Sequence, residues 1–250
     1  MASTPRRVVD LIAFRDLPNQ LSSEMLRTLD NHLSGAVNSV RFSGDGKYCM
    51  TAGDDRTIML WNPHKNDPSK PDSALHIKTY SGVHGYSVLD VAIAGDNAKF
   101  ASAGGDKSAF YWDIATGRLI RRIQAHDHRI NSIALNEDSS VLFTASYDKT
   151  LSAWDLRSNS REPIQVLRDF TDSVTSVVAT HSTIIAGCVD GKLRTYDIRS
   201  SILKVDDVKD PITCVRLTND NKCAICTCIG WYAFAINLTI IAQKNYIKFK

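Results

Sequence analysis

The chain has 250 residues, of which 43% are hydrophobic and 23% charged, and its net charge is +3. This is the composition of a folded globular protein, and the length accommodates one large all-β domain. Because the charge is nearly balanced and no dense basic stripe follows the chain, direct binding to nucleic acid is not expected.

The first 23 residues are expected to form an N-terminal extension. Arg6 and Arg7 precede a short apolar stretch that Asp10 interrupts, so the pattern does not predict a secretory signal. The six cysteines lack the regular spacing of a small secreted domain, which favours a reduced, intracellular location.

Between residues 52 and 197 the chain repeats one pattern four times. Each copy has alternating apolar residues, a turn aspartate and, six residues later, an aromatic residue followed by a polar one. The aspartate–aromatic pairs are Asp55–Trp61, Asp106–Trp112, Asp148–Trp154 and Asp190–Tyr196. The last two repeats are each 42 residues long, which with period-2 alternation predicts four-stranded blades. The longer first repeat predicts a loop insertion at 66–73, where turn-forming residues are dense.

Repeats two and three share two further positions, a histidine and a hydroxyl residue. The resulting sets are His84, Ser102, Asp106 and Trp112 in repeat two, and His126, Thr144, Asp148 and Trp154 in repeat three. Both sets resemble the WD-repeat family, which implies a β-propeller in which these four side chains form a buried hydrogen-bonded chain. Asp, His and Ser are also the residues of a catalytic triad. Since a structural device recurs and an active site does not, the repetition favours a structural role and predicts no enzyme.

Repeats one and four match the family less completely. Repeat one has Thr51, Asp55 and Trp61, but Ser34-Gly35 stands where the Gly-His pair would be. Repeat four has Asp190 and Tyr196, with Ala186 at the hydroxyl position and no histidine near Asp169-Phe170. These two blades are therefore expected to open more easily than the others.

The repeats predict a propeller over 24–228, with about four complete blades and a partial fifth. The family resemblance implies seven blades in a complete ring. The fifth repeat begins at residue 210, but the segment 229–250 leaves the pattern and is predicted to be a divergent C-terminal tail. Residues 223–243 carry no charge, so a membrane anchor is a minor alternative. A zinc site at Cys214, Cys223, Cys226 and Cys228 is a second alternative, but their spacing is poor for zinc and favours packing within strands.

Several segments of the chain, taken in their order along the sequence, support a narrower resemblance. They include Leu26-Arg27-Thr28-Leu29, Thr79-Tyr80-Ser81-Gly82-Val83-His84-Gly85-Tyr86, Ala186-Gly187-Cys188-Val189-Asp190-Gly191 and Pro211-Ile212-Thr213-Cys214. Over about 24–228 the chain resembles the mitogen-activated protein kinase organizer family. That resemblance implies a cytoplasmic and nuclear scaffold without a cofactor, whose partners are kinase-cascade or spliceosomal proteins in pre-mRNA splicing.

A second hypothesis follows from an arginine that comes two residues after two of the closing pairs. Arg157 and Arg199 resemble the WD-x-Arg motif of substrate receptors for cullin-type ubiquitin ligases, although basic residues are also common at exposed strand ends. Three further candidates for partner contact flank the turn aspartates or the first strand of a repeat: Asp54, Arg129 and Tyr147. Exposed Tyr and Arg side chains at such a rim are frequent hot spots of binding.

Overall fold

The computed structural model describes residues 9–12, 25–29, 35–218, 221, 223–229, 233–237 and 246–249, with side chains at 28–29, 35–218, 221 and 223–229. All regular elements of these residues are β-strands. The first six strands are β1 (Val9–Ile12), β2 (Met25–Leu29), β3 (Val37–Phe42), β4 (Cys49–Gly53), β5 (Ile58–Asp67) and β6 (Lys70–Tyr80). The next eight are β7 (Val88–Ile93), β8 (Lys99–Gly104), β9 (Ser108–Asp113), β10 (Leu119–Gln124), β11 (Ile130–Leu135), β12 (Val141–Ser146), β13 (Leu151–Asp155) and β14 (Gln165–Leu167). The last eight are β15 (Val174–Ala179), β16 (Thr183–Cys188), β17 (Lys192–Asp197), β18 (Ile202–Asp207), β19 (Ile212–Leu217), β20 (Cys223–Cys228), β21 (Ala233–Asn237) and β22 (Tyr246–Phe249).

These strands form five sheets in chain order. The first has six strands in the order β1-β2-β6-β5-β4-β3, and each of the other four has four consecutive strands. We number the blades one to five, with β3–β6 as blade one. The first strand of each blade lies beside the first strand of the next, so these strands line the inside of the array. We call the side with the turns between second and third strands the upper face, and the opposite side the lower face.

The hydrophobic core lies between successive blades. Met50 and Ile58 of blade one pack against Phe100 and Trp112 of blade two, and equivalent clusters join blades two to three, three to four and four to five. Because the sheets of blades two to four are apolar on both faces, burial of each of these blades depends on its neighbours, as in other repeat architectures.

The β5–β6 hairpin corrects the predicted loop insertion. Of residues 66–73, all but the turn residues 68–69 lie within β5 and β6, which extend beyond the length of their counterparts as one long hairpin. The turn at its tip is held by Asp67, whose carboxylate accepts hydrogen bonds from the N–H and hydroxyl of Ser69. The turn-forming residues thus shape the end of a longer hairpin instead of an irregular loop.

The fifth sheet is more complete than the sequence pattern predicts. β21 and β22 lie within 229–250 and pair in antiparallel register with β20 and with each other, so the segment predicted as a divergent tail supplies two strands to this sheet. Val9–Ile12 of the predicted N-terminal extension likewise pairs with β2. Of the uncharged run 223–243, residues 230–232 and 238–243 lie outside the described part.

The two alternatives for the C-terminal region concern a membrane span and a metal site. Among the described residues, no helix is long and apolar enough to cross a membrane. In the same part of the chain, no three His, Cys, Asp or Glu side chains come together as a metal-binding group. Cys226 and Cys228 are buried in the core between blades four and five, where they pack as small apolar side chains.

Candidate functional site: blade networks and exposed faces

In blade two, four side chains form one hydrogen-bonded chain from the upper turn into the core. His84 Nδ1 lies 2.6 Å from a carboxylate oxygen of Asp106, and its Nε2 lies 2.8 Å from Ser102 Oγ. The Trp112 indole donates to the same hydroxyl at 2.9 Å. Burial lowers the pKa of His84, against the opposing effect of the neighbouring Asp106 carboxylate.

Blade three repeats this geometry with threonine in place of serine. His126 lies 2.8 Å from Asp148 and 2.7 Å from Thr144, and the Trp154 indole donates to Thr144 at 3.2 Å. Burial raises the pKa of Asp148, but the hydrogen bonds from His126 and Thr150 outweigh it and hold the pKa well below its usual range. In both blades the hydroxyl is fully buried and already accepts an indole N–H, which is unlike an accessible nucleophile.

Replacing Asp148 with alanine is expected to destabilise the protein by about 1–3 kcal/mol, because buried donors of blade three lose their acceptor. Thermal or urea unfolding of the two proteins at neutral pH measures the difference. Asp127→Ala is the matched control, since its exposed carboxylate has the same charge and lies beside the network. An unchanged unfolding midpoint for Asp148→Ala would exclude a stabilising role for this chain of hydrogen bonds.

In blade one the described residues show the inner half of the chain. The Trp61 indole donates to Thr51 at 2.9 Å, and both side chains are fully buried. Asp55 accepts hydrogen bonds from the N–H and hydroxyl of Thr57 within the upper turn. Ser34, part of the pair that replaces Gly-His, lies outside the described residues.

Blade four replaces the histidine chain with a buried ion pair that the sequence patterns did not indicate. Arg194 forms a two-pronged contact with Asp190, at 2.7 and 3.2 Å, and both side chains are almost completely buried. Its guanidinium lies 4.9 Å from the ring of Phe170, which occupies the histidine position four residues before the first strand. Tyr196 donates to Asp169 at 3.3 Å instead of to a buried hydroxyl. Blade four therefore lacks the histidine but has its own stabilising pair.

A second group missed by the sequence patterns is centred on Asp90, on the inner strand of blade two. Its buried carboxylate accepts from Ser39 at 2.9 Å and Arg41 at 2.7 Å on blade one. It also accepts from the Ser132 hydroxyl at 2.9 Å and the Ile133 N–H at 3.1 Å on blade three. One side chain thus ties three blades together.

The candidates for partner contact lie on two opposite faces. Asp54, Arg129 and Tyr147 are exposed on the upper face, whereas Arg157 and Arg199 are exposed at lower-face turns. Asp54 also has a structural role, because it accepts a hydrogen bond from the side-chain amide of Asn38. The same amide donates to the backbone carbonyl of Val88 in blade two. The backbone N–H groups of Arg157 and Arg199 donate to the preceding Asp155 and Asp197.

The exposed ring of Tyr147 is held in place by its neighbours. The Arg129 guanidinium lies 5.0 Å from the ring centroid, and the His128 ring meets it edge-on at 5.8 Å. The backbone carbonyl of Arg129 accepts from the N–H of Tyr147 and the hydroxyl of Ser146. Tyr147 is 49% exposed, so a large part of an ordered aromatic ring faces solvent. Such an arrangement has the properties of a preorganised protein-binding residue.

Successive antiparallel sheets, two of which are each held by an internal Asp–His–hydroxyl–Trp chain, define a WD-repeat β-propeller protein. Comparisons with known families agree with this class. A family described as "WD domain, G-beta repeat" matches residues 23–62, and one described as "Nucleolar protein 10-like, N-terminal domain" matches residues 86–231.

Similar proteins identify one family within the WD-repeat class. The chain is 35% identical over 231 residues to the WD repeat domain-containing protein 83 homolog of Dictyostelium discoideum, covering 81% of this chain and 68% of that protein. It is 40% identical over 208 residues to WD repeat domain-containing protein 83 of Homo sapiens, covering 83% and 63% of the two chains. The Xenopus tropicalis protein of that name is 39% identical over 209 residues, covering 82% and 64%.

The chain belongs to the WD repeat domain-containing protein 83 family, to which the resemblance to kinase organizers pointed. It spans about two thirds of the length of these relatives.

Proposed function

We propose that this chain is a non-enzymatic scaffold that assembles multiprotein complexes through its upper face. We further propose that its partners are components of a mitogen-activated protein kinase cascade or of the spliceosome. We expect it to bind them in the cytoplasm and nucleus. The observation that supports partner binding is the ordered, half-exposed Tyr147 ring between Arg129 and His128.

The chemistry of this cluster suits protein recognition. Tyr and Arg are enriched among the residues that dominate binding energies, and a ring already fixed in its bound orientation loses little entropy on binding. The neighbouring blade adds a second exposed ring, since Tyr86 lies directly over Gly105 on the same face. The upper face therefore offers two aromatic anchors on adjacent blades.

Affinity purification of the chain from human cell extract, followed by quantitative mass spectrometry, tests this proposal. Tyr147→Ala is expected to reduce recovery of kinase-cascade or spliceosomal proteins about tenfold or more, because hot-spot truncations cost at least about 2 kcal/mol. Tyr147→Phe should retain most binding, since the ring and its cation–π contact remain. Ile120→Ala, on the outer edge of blade two, is the control for an exposed apolar residue elsewhere.

The alternative is a substrate receptor of a cullin-type ubiquitin ligase, and the same experiment separates the two. In that case a ligase adaptor would be the dominant partner, and Arg157→Ala with Arg199→Ala would abolish its recovery. Equal recovery of all partners by the wild type and Tyr147→Ala would remove the upper-face proposal.

A further inference from the structure

A groove between blades three and four opens on the lower, outer side of the molecule, away from Tyr147. It has a volume of about 680 Å³ and is mostly apolar. One wall is the short outer strand of blade three with the residue before it, and the other is formed by β17, β18 and their turn. We call this cavity the lower groove.

The lower groove concentrates exposed apolar side chains. Four large aliphatic residues along it are between 39 and 63% exposed: Ile164, Ile198, Ile202 and Leu203. Its deeper lining includes Phe143 and Leu151, which belong to the core between the two blades. Contiguous apolar surface of this kind is uncommon on a soluble domain and marks a place where another molecule binds.

The carboxylates that line the lower groove make its charge negative. Its titratable lining residues include Asp169, Asp197 and His181, and it contains neither lysine nor arginine. Asp169 is oriented by the Tyr196 hydroxyl at 3.3 Å, and Asp197 is fixed by the backbone N–H groups of Arg199 and Ser200. Asp197 accepts two backbone hydrogen bonds and Asp169 accepts one from Tyr196, so Asp169 has more acceptor capacity left for an external cation.

We propose that the lower groove binds an extended segment of a partner protein in which a large apolar side chain stands next to a lysine or arginine. The aliphatic residues would receive the apolar side chain, and Asp169 would pair with the cation. The volume corresponds to a few side chains, which fits a short segment better than a folded domain. This inference goes beyond the upper-face scaffold proposal and does not depend on it.

Selection of a phage-displayed random peptide library on the purified chain tests the proposal without assuming a partner. The expected enriched sequences carry a large apolar residue within two positions of a lysine or arginine. A fluorescein-labelled synthetic peptide of the enriched sequence is then titrated by fluorescence anisotropy. The double substitution Ile202→Ser with Leu203→Ser is expected to weaken its binding about tenfold or more.

Blade two supplies a matched control, because Leu119 and Ile120 occupy the same positions of its outer strand with the same burial pattern. Leu119→Ser with Ile120→Ser should leave peptide binding unchanged. Asp169→Asn should weaken it about two- to fivefold, as an exposed ion pair does. Enrichment of acidic peptides, absence of any enriched sequence, or equal binding by the Ile202/Leu203 and Leu119/Ile120 variants would overturn the proposal.

Discussion

Replacing Asp90 with alanine is expected to destabilise the protein by about 3–5 kcal/mol, as loss of one partner does in buried ion pairs. The substitution leaves the hydroxyls of Ser39 and Ser132 without their acceptor, and it separates Arg41 from its only carboxylate partner among the described residues. Because these donors belong to blades one and three, the loss is expected to affect three blades together. Urea unfolding followed by tryptophan fluorescence measures it.

Asp138→Ala removes an exposed aspartate of the same charge and is the control for the loss of a carboxylate. A second comparison uses the residues that other blades carry at these positions. Inner strands β3, β11 and β15 have serine where blade two has Asp90, and blades two and three have alanine where blade one has Arg41. Asp90→Ser should therefore destabilise, and Asp90→Ser with Arg41→Ala should recover part of the loss. A midpoint for Asp90→Ala equal to that of Asp138→Ala would contradict the proposed tie between blades.

The histidine chains could be predicted from the sequence because every member repeats at a fixed distance in two blades. Their contacts are within one blade, so the repeat length alone brings the partners together. Asp90 could not be found in this way, since its donors lie on two other blades and no other repeat has an aspartate at that position. A lone charge in an otherwise apolar inner strand was the available signal.

The lower groove shows a different limit of sequence reasoning. The outer strands β10 and β18 have the same burial pattern, and both begin with two exposed aliphatic residues. The pair in β18 lines the lower groove, which lies between the short outer strand of blade three and blade four. The lower groove comes from packing between blades, which a pattern within one repeat does not contain.

The ion pair of blade four could have been inferred from the sequence, but only by considering two departures from the repeat together. Phenylalanine stands at the histidine position, and arginine appears two residues before the closing Tyr196, where blade three has serine. Each change alone is a departure from the repeat. Together they place a cation where the turn aspartate would otherwise lose its partner, so blade four is stabilised by a different interaction from that of its neighbours.

Arg194→Met tests this interaction, and it is expected to destabilise the protein by about 3–5 kcal/mol at pH 7, since a buried carboxylate loses its counter-charge. Burial raises the pKa of Asp190, but the hydrogen bonds from Arg194 and Thr171 outweigh it and hold the pKa well below its usual range. The stability from this pair is therefore present above the unfolded-state pKa of about 4 and is lost as the pH falls below it. Arg199→Met, an exposed arginine of the same blade, is the control.

The pH dependence separates the charge of Arg194 from its packing against Phe170. Without the arginine, burial should raise the pKa of Asp190 above its usual value, so the variant should be least stable, relative to the wild type, at pH 7. The difference between the two unfolding midpoints should begin to shrink above pH 4, where Asp190 of the variant becomes protonated, and should shrink further below about 4, because a protonated Asp190 no longer needs the cation. Asp190→Asn combined with Arg194→Met should recover part of the loss at pH 7. The opposite result is a difference in unfolding midpoint that is the same at pH 7 and below pH 4, with no recovery by Asp190→Asn combined with Arg194→Met. In that case Arg194 stabilises blade four only through its contact with Phe170.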